Sequence, residues 1–583
     1  MSTPEPGAAP DAHDTELRVR ELITVSDAGE ALAEAARLAA EARLPHQNLL
    51  YLWPTAADPD AYCAIVLAPA LAREGVTKLS LDRMTSLRGL RNLTMLRELT
   101  VFRCKEITDI TDLAALTGLV ELDLNGCAGI NDLTPLSGLT ALTTLGLHRC
   151  RAVEDTTPLL SLKNLRHLDL SMTRVRSAAG FGSAFPNLRE LNLQGCRSFK
   201  DARHMSALRR LTNLNMGWTG IRDLDGLSGV DNISTLDLTS CKRLTSLKGI
   251  DALPKLTELR LEKCSRLKSV DGLGTHPNLG SVHVEECPEL QDLRGLAPLT
   301  NLRSLHLVGC EQLASLAGLE SLASLTVLEI GACPRLTDLS PLDGLRELNL
   351  LYLERLDALR GLTSLGTLPA LKTLSVRKCR TLHGLQGTGR QLPKLKELRI
   401  EDCPSLAALG HVGELPSLAQ AWIDDCAVLA DVYGLAGSPV RELGLSNLPI
   451  LTDLSALAEL PRLHTLNIYR CPGIRTVPAE GCRNVLLFDV PWKDLSGLRA
   501  GPALRAIEVH SDELEDISAL TRLPHLVDVD IDFCTVLKDW TPLLDIPILE
   551  RFKPPRYQVY AIESNGGTDP TLVTLAARGV TRE

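Results

Sequence analysis

A cysteine returns along this chain at an interval of 23 residues, and that interval limits the fold more than any other feature. Cys104, Cys127 and Cys150 set the step, Thr173 stands where the next is due, and Cys196 resumes it. Cys241, Cys264, Cys287, Cys310 and Cys333 continue the series, and Cys379, Cys403, Cys426, Cys471 and Cys534 follow with small slips. A period of this size describes stacked coils that touch only their neighbours, so 583 residues need not divide into several globular domains. Cys63 precedes the series and Cys482 lies in a degenerate coil.

Around each cysteine runs L-x-x-L-x-L-x-x-C, as in LVELDLNGC (Leu119 to Cys127), LTTLGLHRC (Leu142 to Cys150), LTELRLEKC (Leu256 to Cys264) and LRSLHLVGC (Leu302 to Cys310). With these places numbered one to nine, apolar residues at four and six alternate with polar ones, the period of a strand with one buried face. So short a strand cannot bury that face alone. Laying each beside its predecessor does so and makes a parallel sheet, about 95 Å long for some twenty strands at roughly 4.8 Å each.

After the cysteine the chain runs x-x-[LIV]-x-[DS]-L-x-x-L-x-x-L, as in INDLTPLSGL (Ile130 to Leu139) and LTDLSPLDGL (Leu336 to Leu345). Apolar residues three apart suit a short helical or 3-10 turn on the side away from the sheet. Asp109, Asp132, Asp155, Asp201, Asp223, Asp292, Asp338 and Asp453, with Ser246, Ser269 and Ser315, hold one equivalent place. A small acceptor there caps backbone N–H groups as the chain turns.

This frame resembles the leucine-rich-repeat family, whose signature carries Asn or Cys at the ninth place. The DLxPL form is similar to the short repeats of bacterial internalins. The resemblance runs from Val76 to Trp540, about twenty repeats. It implies an α/β solenoid, a curved horseshoe with a parallel β-sheet on its concave face and short helical or 3-10 turns on its convex face. It also implies that the concave face binds protein.

The ends depart from the frame. Residues 1–16 read as a disordered tail and 17–75 as a helical N-terminal cap; the solenoid covers 76–540 and a C-terminal cap 541–583. Within the first cap, Leu17 to Arg43 reads as one or two helices with Ser26 as a cap, Asn48 to Trp53 as a strand, and Asp58 to Glu74 as a helix. At the far end Arg556 to Glu563 reads as one more strand, and Asp569-Pro570 opens a helix to about Arg578.

A net charge of −10 argues against generic nucleic-acid binding, which needs clustered Lys and Arg. The N-terminus is acidic and Pro/Ala-rich, without the basic and apolar regions of a secretory signal, and no apolar run is long enough to span a membrane. A cytoplasmic, membrane-free protein is the expectation, and the Ala, Arg, Gly and Leu usage resembles that of high-GC bacteria.

No phosphate loop, zinc-protease motif or nucleophile elbow occurs, and Gly180 to Phe185 (GFGSAF) lacks the third glycine of a dinucleotide loop. The thiols form a line instead of the convergent set a metal needs, so they read as buried free thiols. No catalytic, cofactor or metal residue and no small-molecule substrate is expected.

The informative residues are those at places three, five, seven and eight, which point outward and have no evident folding reason. Aromatics make up only 3% of the chain, yet Phe102, Trp218, Tyr352, Trp422 and Tyr469 stand there. Basic residues join them: Arg103, His148 and Arg149, then Arg260, Arg377 and Arg399, with acidic Glu285, Glu286, Glu401, Asp402, Asp424 and Asp425 between or after. Trp, Tyr and Arg dominate interface hot spots, so a protein-binding scaffold or recognition module is the first reading. A detached sensor arm of a NACHT-type signalling or defence system is the second, and an enzyme with chemistry in the caps, around Tyr62 and Cys63 or after Pro554, is the third.

Overall fold

In a computed structural model, residues 12–25, 29–386, 391–410 and 412–582 are described. They fall into two compact units, one of Met1–Leu267 with Gly272–Leu279, the other of Lys268–Asp271 with Gly280–Glu583. The first unit carries nine parallel strands of the repeat frame, from Lys78–Asp82 to Glu258–Arg260. The second carries fourteen, from Ser281–Glu285 to Thr581–Arg582.

The register follows the leucine frame. Place-four leucines sit directly opposite one another, Leu122, Leu145, Leu168, Leu191, Leu214, Leu236 and Leu259 in the first unit. Val282, Leu305, Leu328, Leu351 and Leu374 do the same in the second. All are buried, as are the place-six residues beside them. Each such side chain contributes about 1.5–3 kcal/mol by leaving water, and a coil collects the gain only when a neighbour covers it.

On the other side of each coil, 3-10 segments begin at the Asp or Ser place. Asp132 Oδ1 accepts from Thr134 N at 2.8 Å, Asp338 from Ser340 N at 2.9 Å, and Ser246 Oγ from Lys248 N at 3.1 Å. Asp431, Asp494, Asp516 and Asp539 make the same turn. All sixteen cysteines are free and buried; burial pushes the Cys150 and Cys426 thiols up to about 12.

The N-terminal helices are α1 (Ala12–Val25), α2 (Gly29–Glu41), α3 (His46–Leu52), α4 (Pro59–Tyr62) and α5 (Ala68–Arg73), with a π turn over Cys63–Leu67. Residues 12–16, expected in the tail, thus belong to α1, and Ser26 lies outside the described residues. The strand expected over Asn48 to Trp53 is instead α3. Its buried Leu49 and Leu52 are three apart, a helical spacing, and Pro45 precedes its first turn. The cap is tied to the first coil by Trp53 Nε1, which donates to Arg88 O at 3.0 Å.

A short helix, α6 (Phe181–Ala184), replaces one 3-10 segment where the glycine pair was noted. At the C-terminal end the ladder goes on through Arg551–Lys553. The strand expected over Arg556 to Glu563 is helix α7 (Arg556–Ser564), started by Pro554-Pro555 and held by Arg556 Nε on Asp532 Oδ1 at 2.8 Å. Helix α8 (Pro570–Ala577) follows, capped by Asp569.

Candidate binding surface

In the first unit, place five is held mostly by Asp or Asn. Asp123, Asp169, Asn192, Asn215 and Asp237 each turn an Oδ1 back to accept from the backbone N–H two residues on, at 2.8–3.0 Å. Gly146 has no side chain to do so, and Asn125 Oδ1 of the preceding coil takes His148 N instead, at 2.7 Å. The place-seven N–H is thereby diverted from the ladder, and these strands are three residues long.

The carbonyl left over at place six of the preceding strand accepts the thiol. Cys150 Sγ lies 3.2 Å from Leu124 O, Cys196 3.0 Å from Leu170 O, and Cys241 3.1 Å from Met216 O. This corrects the expectation that outward places lack a folding role: place five ends the strand. The half-buried carboxylates and amides line an open cleft of about 600 Å³ on this sheet face, with Glu98, Glu121 and Glu190 at its margin. Burial raises the Asp123 carboxyl above its ordinary value.

Place eight also has a folding role. It is left-handed in coil after coil, with φ of 56° at Arg103, 61° at Arg149 and 60° at Trp218. Only a tight turn out of the strand requires this, and it disfavours bulky side chains.

The other candidates of this unit are distributed along its coils. Phe102 is 41% exposed, with the Arg103 guanidinium 4.7 Å above its ring and bonded to Asp82 at 2.9 Å. His148 Nδ1 contacts Ser171 Oγ at 2.7 Å, and Arg260 pairs with Glu258 of its own strand at 2.7 Å. The structure does not gather these residues into one cluster.

In the second unit most strands have five residues, and place five carries larger side chains. His283 and His306 stack at 4.4 Å, nearly parallel, with His306 Nδ1 2.9 Å from Glu329 Oε2. Tyr352 is exposed. Arg377 pairs with Glu401 at 2.8 Å and Arg399 with Glu397 at 2.5 Å, so neither guanidinium is free. Trp422 lies flat over the next strand, where a Cβ on Gly444 would come within 2.2 Å of the ring. It therefore fills the space Gly444 leaves, a second folding role at place five.

Tyr469 begins a row the sequence reading missed. Its ring lies 5.6 Å from Phe488, Phe488 lies 5.2 Å from His510, and His510 lies 4.6 Å from Phe533. Tyr469, Phe488 and His510 are register partners at place seven of successive strands. Arg470 stands over Phe488 at 5.8 Å and Arg556 over Phe533 at 5.3 Å. Reading place seven down the coils would have found three of the four, but the Phe488 and His510 coils lack the cysteine that sets the register.

Below this row Glu508, His510 and Asp530 bring one ligand atom each within 4.8 Å of the others. His510 Nε2 is 3.1 Å from Glu508 Oε1, and Lys553 Nζ, 3.2 Å from Asp530 Oδ2, supplies a cation to the cluster. In the N-terminal cap, Tyr62 and Cys63 are fully buried, the tyrosine hydroxyl donates to Leu49 O at 2.8 Å, and burial pushes the thiol well above its ordinary range. A thiol so placed is a packing group, since nucleophilic cysteines need a lowered pKa and access.

No family model matches the chain, and no curated protein does. Among solved structures it is similar to a leucine-rich-repeat protein of Leptospira interrogans, at 20% identity over 70% of this chain and 93% of that one, with a TM-score of 0.43. It is similar also to the functional domain of InlJ from Listeria monocytogenes, which includes a cysteine ladder (17% identity, 72% of this chain and 73% of that one, TM-score 0.35). A chain of the Drosophila Toll–Spätzle complex is a third (15% identity, 87% and 68%, TM-score 0.49). These are likenesses of fold. The L-x-x-L-x-L-x-x-C frame, buried in register on parallel strands and backed by 3-10 turns, gives the chain a leucine-rich-repeat fold.

Proposed function

We propose that the chain is a recognition module that binds a protein partner across its strand-bearing faces. The observation that carries this reading is the row Tyr469, Phe488, His510 and Phe533, aromatic rings in contact across successive strands with arginines over two of them. Phe533 is 43% exposed, although aromatics are scarce in the chain and the core is filled by aliphatic residues. Contiguous aromatic and arginine side chains are what interface hot spots are made of. Phe102, Trp218, Tyr352 and Trp422, with Arg103, His148, Arg149, Arg260, Arg377 and Arg399, are proposed as further contacts. No helix among the described residues is long and apolar enough to cross a membrane.

The test is affinity capture from extracts of the source cells by wild type, Phe488→Ala/Phe533→Ala and Trp422→Ala, followed by titration of the recovered protein in purified form. The double variant is expected to bind at least tenfold more weakly, about 1.4 kcal/mol, with its melting temperature nearly unchanged. Equal affinity in wild type and both variants overturns the reading.

A further inference from the structure

Two coils of the first unit carry threonine in place of the cysteine, and both are one residue shorter just after it. The apolar residue that turns the chain back follows the ninth place by three in Cys196 to Phe199 and Cys241 to Leu244, but by two in Thr173 to Val175 and Thr219 to Ile221. The threonines bridge the contracted turn: Thr219 Oγ1 donates to Met216 O at 2.7 Å, and Thr173 Oγ1 to Leu170 O at 2.6 Å. The residue after the threonine is Arg174 at the first short turn and Gly220 at the second. A Cβ on Gly220 would meet Arg197 O at 2.8 Å and the Lys200 side chain at 3.2 Å. The result is a cleft of about 470 Å³ between the flanking coils, floored by glycine backbone.

The walls of this cleft are cationic. Arg197 and Lys200 come from the coil before, and Lys242 and Arg243 from the coil after; all four are exposed. No carboxylate lines the cleft, and none of the four makes an ion pair among the described residues. In a chain of net charge −10, four unpaired cations around one cavity form a local field of opposite sign. Ser240 also lines it, 3% exposed and with its Oγ buried and unpartnered, a donor lacking an acceptor.

Trp218 completes the wall. It is 38% exposed, whereas Trp53, Trp492 and Trp540 are buried, and it holds a left-handed backbone conformation that Gly126 and Gly195 supply at the same place without strain. An indole at a strained position beside a cationic hollow offers a flat face for a planar group.

We propose that this cleft binds a phosphate ester, its phosphoryl group held by Arg197, Lys200, Lys242 and Arg243 and the planar group it carries stacked on Trp218. Guanidinium and ammonium groups meet phosphate oxygens through charge-assisted hydrogen bonds, and the Ser240 hydroxyl gains an acceptor. Nucleotides are the available probes with both features, and pyrophosphate has the charge without the plane.

The full chain at low salt is titrated with ATP and with pyrophosphate by calorimetry, and with ATP by tryptophan fluorescence. Saturable one-to-one binding of ATP is expected, weakened at least tenfold in Lys242→Glu/Arg243→Glu and unchanged in Arg174→Glu at the other short turn. Gly220→Arg, which restores the side chain of the first short turn, is expected to weaken binding without reversing any charge. Weaker binding of pyrophosphate, with the difference lost in Trp218→Ala, assigns the ester; equal binding assigns the phosphate group alone as the ligand. No binding of either probe by wild type at millimolar concentration, or binding that survives both the charge reversal and Gly220→Arg in folded protein, overturns the proposal.

Discussion

The two units build the same coil and finish its strand differently. In the first, strands from Glu121–Asp123 to Glu258–Arg260 have three residues; in the second, strands from Ser281–Glu285 to Ala506–His510 in the main ladder have five. Where the strand stops early, the thiol lies 3.0–3.4 Å from the preceding place-six carbonyl, as for Cys127, Cys196 and Cys241. Where it runs on, the ladder N–H takes that carbonyl and the thiol stands back, at 3.8 Å for Cys310, Cys333 and Cys471 and 3.9 Å for Cys403. Asp530 supplies an internal control. Within the second unit it caps Asp532 N at 3.0 Å, its strand has three residues, and Cys534 approaches Val509 O to 3.1 Å. Where the place-five side chain caps, a buried carbonyl thus receives the thiol in place of the ladder N–H.

The rule has limits that locate its cause. Asn467 stands at place five of a five-residue strand, between neighbours of the same length, while Arg260 ends a three-residue strand without an Asp or Asn. A strand's end must match the strand beside it, so the choice is made by neighbouring coils together.

The largest expected effect breaks the comparison at place five. Asn192→Ala strands the N–H of Gln194 and costs about 1–2 kcal/mol in urea unfolding, whereas Asn467→Ala costs about 0.5 kcal/mol or less. Equal losses would mean that the cap does not hold the strand end. The next concerns the thiols: Cys196→Ala is expected to destabilise more than Cys471→Ala by about 0.5–1 kcal/mol, because Cys196 loses contacts at 3.0 Å to Leu170 O and 3.3 Å to Thr173 Oγ1, whereas Cys471 loses one at 3.3 Å to Tyr469 O. A smaller effect separates members of one ladder. Burial penalises the ionised Asp123 carboxylate, so Asp123→Asn, which keeps the acceptor, raises the melting temperature at pH 7, and the gain shrinks as the pH falls and the native carboxyl protonates.

The smallest difference is expected at the outer turns, which the units share. Asp132 and Asp155 in the first and Asp338 and Asp453 in the second are held below the ordinary carboxylate value, first of all by the side-chain hydroxyl two residues on. Their stabilisation is complete above the unfolded value near 4 and is lost as the pH falls through the lower native values. Melting curves in both units should therefore decline together in acid, and a decline confined to one would set the outer turns apart.

Much of this was legible beforehand where a residue acts within its own coil. The buried leucines, the capping Asp132 and Asp338, and the inert thiols follow from spacing alone. Trp422, expected as a free outward residue, instead depends on Gly444 in the next strand, and Asn192 at the same place takes a backbone N–H the ladder gives up, roles that no single coil discloses. The helices at His46–Leu52 and Arg556–Ser564 were mistaken for strands because short apolar segments fit either period until a packing partner chooses one.

The amino-acid order by itself determined the coil: a 23-residue step, two buried aliphatic places, a cap at the outer turn and a small ninth side chain, each repeated until no other period fits. Only the tertiary structure decided which outward groups become neighbours, bringing Tyr469 to Phe488 and opening a gap over Gly220 between Arg197 and Lys242. The reason is physical. Contacts across stacked strands join residues some twenty positions apart, and one residue more or less in a turn changes every lateral contact while leaving the leucine period nearly untouched.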